Sequence, residues 1–236
     1  NLILVFWIYG LVFFSIGLSI IAQSRRQSSL RLRTSLKALA AFAVIHGFHE
    51  WMSMFILIGE NVWMPAILGP LEVVRFWAGQ ISFSCFFLFG VSALSLNSTK
   101  DRPTPFLFGL VYVLIYVYVL SVNGLQSRYN HEWFRLAGRL VRYVLTLPGG
   151  ILIGVSFLRY RSSEEIARLK STAAVGALTG AAIVFVGYAL FAGLFVPYSL
   201  YSMPLSADVN SVLRFDGLPV QLFRTFSAFA VLFFSV

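Results

Sequence analysis

Residues 35–58 read SLKALAAFAVIHGFHEWMSMFILI, an apolar run that carries His46, His49 and Glu50 in its second half. A helix needs about 20 predominantly apolar residues to cross the hydrocarbon of a bilayer, and this run is long enough. Ionisable side chains at membrane depth are costly and by default mark a functional site. His46, His49 and Glu50 fall at i, i+3 and i+4, so a helix puts all three on one face, which Phe42 and Ser53 extend. Two readings of that face are open. Either it is a polar network that ties helices together, or it lines a site for a ligand, an ion or a proton.

The surrounding chain agrees with a membrane setting. Of its 236 residues, 58% are hydrophobic and 11% charged, and mean hydropathy is +0.82. Charged residues are about a quarter of an average soluble domain. The 24 Phe and 10 Tyr suit lipid-facing and interfacial positions. Apolar runs at about 2–22, 35–58, 76–96, 106–122, 143–157 and 172–196, with a seventh opened by Pro219, predict an all-α polytopic bundle. The expected fold is one domain of seven transmembrane helices over residues 1–236.

Net charge is +9, with the basic residues confined to loops and helix ends. That pattern speaks of topology and anionic lipid headgroups. A nucleic-acid partner would need a basic face on a soluble fold and is not expected. Residues 24–37, SRRQSSLRLRTSLK, hold five bases and no acid, which places them in the cytoplasm and the N-terminus outside. Alternation along the chain then puts eleven of the eighteen bases inside and seven outside, with the C-terminus cytoplasmic. Four of those seven lie in residues 125–142, where Leu136, Leu140 and Tyr143 are spaced against Arg135, Arg139 and Arg142. This spacing predicts an amphipathic helix lying at the interface before the fifth span. Residues 205–215 predict a short surface helix. Pro148 is the one proline inside a run, where PGG is expected to bend the fifth span. The chain begins without Met and stops at Val236 within an apolar run, which predicts further protein beyond the last helix. The single Cys85 permits no intrachain disulfide.

At 1.5 Å per residue from Lys37, His46 lies roughly 13 Å into the membrane and Glu50 about 20 Å. Arg75, Arg142 and Arg224 open descending helices at that outer level. One carboxylate facing up to three guanidiniums is a charge mismatch, costly in low dielectric. The expectation is an outer-half pocket for an anionic or carbonyl-bearing ligand. In the alternative, each arginine snorkels to the headgroups. HGFHE is not the HExxH zinc motif. His46 and His49 hold a metal only with ligands from other helices, and His131, the third histidine, falls in an outer connection, so neither metal nor haem is expected. Retinal is excluded, because Lys37, Lys100 and Lys170 all fall in predicted loops. Gly176 and Gly180 form a small-xxx-small pattern for close packing, within the chain or across a dimer. No phosphate loop, nucleophile elbow or paired catalytic carboxylates occur; Glu164 and Glu165 sit in a charged turn.

Four stretches carry a resemblance: residues 6–32 (FWIYGLVFFSIGLSIIAQSRRQSSLRL), 41–51 (AFAVIHGFHEW), 142–150 (RYVLTLPGG) and 217–229 (GLPVQLFRTFSAF). Together, in this order, the chain resembles the membrane-embedded N-terminal sensory module of bacterial sensor histidine kinases and related PAS or diguanylate-cyclase proteins. The resemblance implies a multi-pass input domain in the bacterial inner membrane, whose last helix continues into a cytoplasmic effector, normally as a homodimer. It falls on His46, His49, Glu50 and Trp51, on Arg142, Tyr143, Pro148 and Gly149, and on Pro219, Gln221 and Arg224. It names no ligand, and any enzymatic activity, such as that of a histidine kinase, would lie outside this segment. The rival class is a membrane redox or transport subunit, using the same cluster for haem, quinone or proton handling.

Overall fold

The computed structural model describes residues 2–26, 32–59, 65–94, 104–127 and 131–193. They form α1 (Leu2–Arg26), α2 (Leu32–Gly59), α3 (Pro65–Ala93), α4 (Thr104–Gln126), α5 (His131–Val141), α6 (Leu147–Tyr160), α7 (Glu164–Leu169) and α8 (Thr172–Gly193). A π-helical turn, Arg142–Thr146, joins α5 to α6. Among the described residues six helical stretches are long and apolar enough to cross a membrane, the fifth running from Glu132 through the π turn to Tyr160. The expected seventh span, the surface helix at 205–215, Gln221 and Arg224 lie outside the described residues.

The outer surface supports a bilayer as the surrounding solvent. α4 exposes Phe106, Leu107, Phe108, Leu114, Ile115 and Tyr118. A contiguous apolar face of this kind is a liability in water and ordinary in lipid. The helices therefore associate by close packing rather than by a hydrophobic drive. α3 is the hub, packed against α2, α4 and α6, while α1 flanks α2 and α8 flanks α6. The rings of Phe13, Phe42, Phe86 and Tyr188 knit α1, α2, α3 and α8 together at the centre. Glycines allow the helices to close up. A Cβ on Gly10 would overlap the Trp51 indole, and one on Gly150 would overlap the Ala189 side chain. At Gly176 a Cβ would meet nothing within 4 Å among the described residues, so that end of the Gly176–Gly180 pattern packs against none of them.

Three features differ from the sequence expectation. α3 begins at Pro65 rather than near Phe76, and takes in Pro70. Proline is tolerated in a first turn, where its missing N–H has no partner to lose, as at Pro65; Pro70 lies inside the helix and leaves the Ala66 carbonyl without its i+4 donor. Lys37, expected in a loop, is an exposed residue of α2. The third concerns residues 125–142. The fifth span, expected to begin near Tyr143, is already joined to this stretch, from Glu132 onward. α5 continues into α6, buries Trp133, Ala137 and Val141, and exposes Leu136, Leu140 and Tyr143. Trp133 and Ala137 pack on Phe76 of α3 and Leu120 of α4.

The π turn has a chemical cause. Pro148 has no N–H to give the Val144 carbonyl four residues back. That carbonyl accepts instead from the Tyr112 hydroxyl of α4 at 3.4 Å. The Leu147 N–H reaches five residues back to the Arg142 carbonyl, and the Thr146 hydroxyl donates to the Val141 carbonyl at 3.4 Å. Beyond α6 the charged turn contains α7, capped by Ser163, whose hydroxyl accepts from the Ile166 N–H.

Candidate functional site

α2 and α3 meet along the face that carries the histidines. His46 and Glu50 are buried, at 3% and 7% exposure. His46 Nε2 lies 3.5 Å from Glu50 Oε1, one turn along α2. Its Nδ1 lies 3.3 Å from the Ser82 hydroxyl oxygen of α3. The proton of that hydroxyl is already committed, since Ser82 donates to the Gly79 carbonyl at 2.8 Å. The Ser82 oxygen therefore accepts, and His46 Nδ1 carries a hydrogen. Nε2 is left facing a carboxylate oxygen. Two lone pairs repel there unless a proton lies between them, so the dyad holds one proton, on the imidazole or on the carboxyl group.

Aromatic rings enclose the dyad. Phe42 stacks on the His46 imidazole at 5.2 Å between centroids, and Phe13 and Phe83 approach edge-on at 4.7 and 5.1 Å. Tyr9 of α1 stands at 6.0 Å. Phe13 and Phe42 also border a small apolar cleft that reaches Phe86, Phe185 and Tyr188.

His49 lies 5.6 Å from His46, ring to ring. Its imidazole covers Gly79, where an added Cβ would come 3.4 Å from Nε2. Its Nδ1 is buried and has no hydrogen-bond partner among the described residues. The guanidiniums of Arg75 and Arg142 are close enough to act on this imidazole electrostatically. Arg142 is itself buried and donates from Nη1 to the Ala192 carbonyl in the last turn of α8, at 3.2 Å.

The structure thus brings together His46, His49, Glu50, Arg75 and Arg142. It does not bring in Trp51 or Tyr143. The Trp51 indole donates to the Trp7 carbonyl at 3.2 Å and packs on Phe14, so it clamps α1 to α2. Tyr143 is 47% exposed, on the outer face of the fifth span. Ser53 turns its hydroxyl to the His49 carbonyl of its own helix. Sequence reasoning passed over Ser82, Gly79 and Tyr9, and also the buried Gln80, which accepts from the Tyr116 hydroxyl at 2.8 Å. Among the described residues no three His, Cys, Asp or Glu side chains gather as metal ligands would. No protein-family profile, curated protein or solved structure matches this chain.

Proposed function

We propose that the chain is the membrane-embedded input domain of a bacterial signalling protein, with the His46–Glu50 dyad and His49 as its receptor for a proton or a small ligand. The observation that carries this reading is the buried pair itself, with His46 Nε2 3.5 Å from Glu50 Oε1 and His46 Nδ1 3.3 Å from the Ser82 hydroxyl. A group of this kind in a dry, aromatic setting has two discrete states, and gain or loss of its proton changes the charge balance at the centre of the bundle. Its neighbours span the bundle. Tyr9 and Phe13 belong to α1, Ser82 and Phe83 to α3, and Arg142 links His49 to α8. A stimulus that favours one state shifts the helix arrangement only through its differential affinity for the two. The shift passes through the seventh span to a cytoplasmic kinase or cyclase in the same chain, acting as a homodimer in the inner membrane.

The test is the output activity of the full-length protein in membranes, measured from pH 5 to 8 and with His46 and His49 both replaced by alanine. Output is expected to vary with pH in the wild type and to lose that variation in the double variant. An output indifferent to both changes would end the proton version of this reading.

A further inference from the structure

Pro148 leaves the Val144 carbonyl of the fifth span without its i+4 donor. In hydrocarbon such a carbonyl has no water to turn to and takes its donor from elsewhere in the protein. Here the donor comes from another helix. The Tyr112 hydroxyl of α4 donates to the Val144 oxygen at 3.4 Å, a long bond, since O–H···O bonds centre at about 2.7–2.8 Å. The next tyrosine of α4 has no such slack, because the Tyr116 hydroxyl donates to Gln80 Oε1 at 2.8 Å.

The Tyr112–Val144 bond lies on the outside of the bundle. Tyr112 is 44% exposed, and Tyr143, next to Val144, is exposed as well. Both partners are deep in their spans. Tyr112 is about 10 Å or more from either end of Pro105–Gln126, and Val144 is farther still from either end of Glu132–Tyr160. Headgroups and bulk water do not reach that depth. A competing donor has to arrive dissolved in the hydrocarbon. The flank of the bond is aromatic, with the Tyr112 ring 5.2 Å from that of Phe87 on α3.

We propose that the Val144 carbonyl, opened by Pro148 and covered by Tyr112, is the recognition point of a site for a membrane-soluble phenol, whose hydroxyl inserts between the Tyr112 hydroxyl and the Val144 oxygen. The chemistry that this oxygen accepts is already on view, because its present donor is itself a phenol. The incoming hydroxyl donates to Val144 and accepts from Tyr112, so no polar hydrogen is stranded in the hydrocarbon. One long bond is exchanged for two, and α4 moves off the π turn. The site is separate from the His46–Glu50 dyad and does not depend on the sensor reading.

Tritiated 4-octylphenol is titrated into the full-length protein in lipid nanodiscs, with empty nanodiscs subtracting the share that dissolves in lipid. Saturable binding above that background is expected. The methyl ether, 4-octylanisole, has the same body and no donor; it should compete at least about tenfold more weakly, as loss of one hydrogen bond implies. Pro148→Ala returns an N–H to the Val144 carbonyl and should weaken binding by about the same factor. Tyr112→Phe removes the internal donor and leaves the oxygen open, so binding should persist or tighten, whereas a site lost through mere loosening of α4 would disappear. Uptake equal to that of empty nanodiscs, equal competition by the ether, unchanged affinity in Pro148→Ala or loss of binding in Tyr112→Phe would each overturn the proposal. Should Pro148→Ala fail to fold, the ether and Tyr112→Phe still decide it.

Discussion

Ser82 decides how His46 holds its proton. Because its own hydrogen goes to the Gly79 carbonyl, it offers His46 an acceptor and turns Nε2 toward Glu50. Ser82→Ala should leave the Nδ1–H buried without an acceptor, at a cost of about 1–3 kcal/mol. Ser84 is a fitting control, since its hydroxyl serves only the Gln80 carbonyl within α3; Ser84→Ala should cost no more than about 1 kcal/mol. Unfolding of the two variants in mild detergent measures the difference, and equal costs would remove Ser82 from the dyad. The histidines themselves were legible in the sequence because i, i+3 and i+4 are neighbours on any α-helix. Ser82, on another helix, was not, because one helix's periodicity cannot say which partner a polar face meets. Trp51 and Tyr143 were drawn in by the resemblance, as neighbours of Glu50 and Arg142 in its motifs, and a single step along a helix rotates a side chain by about 100°. That rotation put Trp51 on the α1 seam and Tyr143 on the exposed outer face.

Among the elements, the helices with uninterrupted apolar runs were readable to within a few residues, and those flanked by prolines or arginines were not. Pro65 and Pro70 read as a connection, yet Pro65 opens the helix where no N–H bond is lost, and Pro70 gives up only the one bond to the Ala66 carbonyl. The apolar stripe of α5 was read as that of an interfacial helix separate from the fifth span. In a bilayer the lipid accepts that stripe, and the helix is free to bury Trp133 and Ala137 instead. Glycine usage follows the same logic, because close approach is what holds these helices together. Gly150→Ala should destabilise the α6–α8 pair by about 1–3 kcal/mol, since its Cβ has nowhere to go beside Ala189. Gly176→Ala should be neutral or stabilising by up to about 1 kcal/mol, because its Cβ meets nothing among the described residues and alanine is the better helix former. Thermal unfolding in detergent ranks the two. A monomer that is unchanged in stability but fails to dimerise in Gly176→Ala would instead assign the small-residue pattern to a contact between copies.

For the whole molecule, the decisive quantity is orientation, because it fixes which side of the membrane reaches the dyad. The bundle has α1, α2 and α3 on one flank and α6 and α8 on the other, meeting at Phe13, Phe42, Phe86 and Tyr188 with His46 just beyond. Basic residues gather at 24–37 and in the turn around α7, which predicts that both lie in the cytoplasm. The end of α4 is then expected outside, with Glu50 on the outer side of His46, which sits midway along α2. Cysteines placed on the exposed Gln126 and Glu164, in a chain carrying Cys85→Ala, report this directly. Gln126→Cys should react with a membrane-impermeant maleimide on intact cells, and Glu164→Cys only after lysis. The reverse pattern would turn the bundle over and put Glu50 on the cytoplasmic side of His46, where the proton the dyad holds would answer to internal rather than external pH. The same two labels therefore decide both the topology and which compartment the dyad can sense.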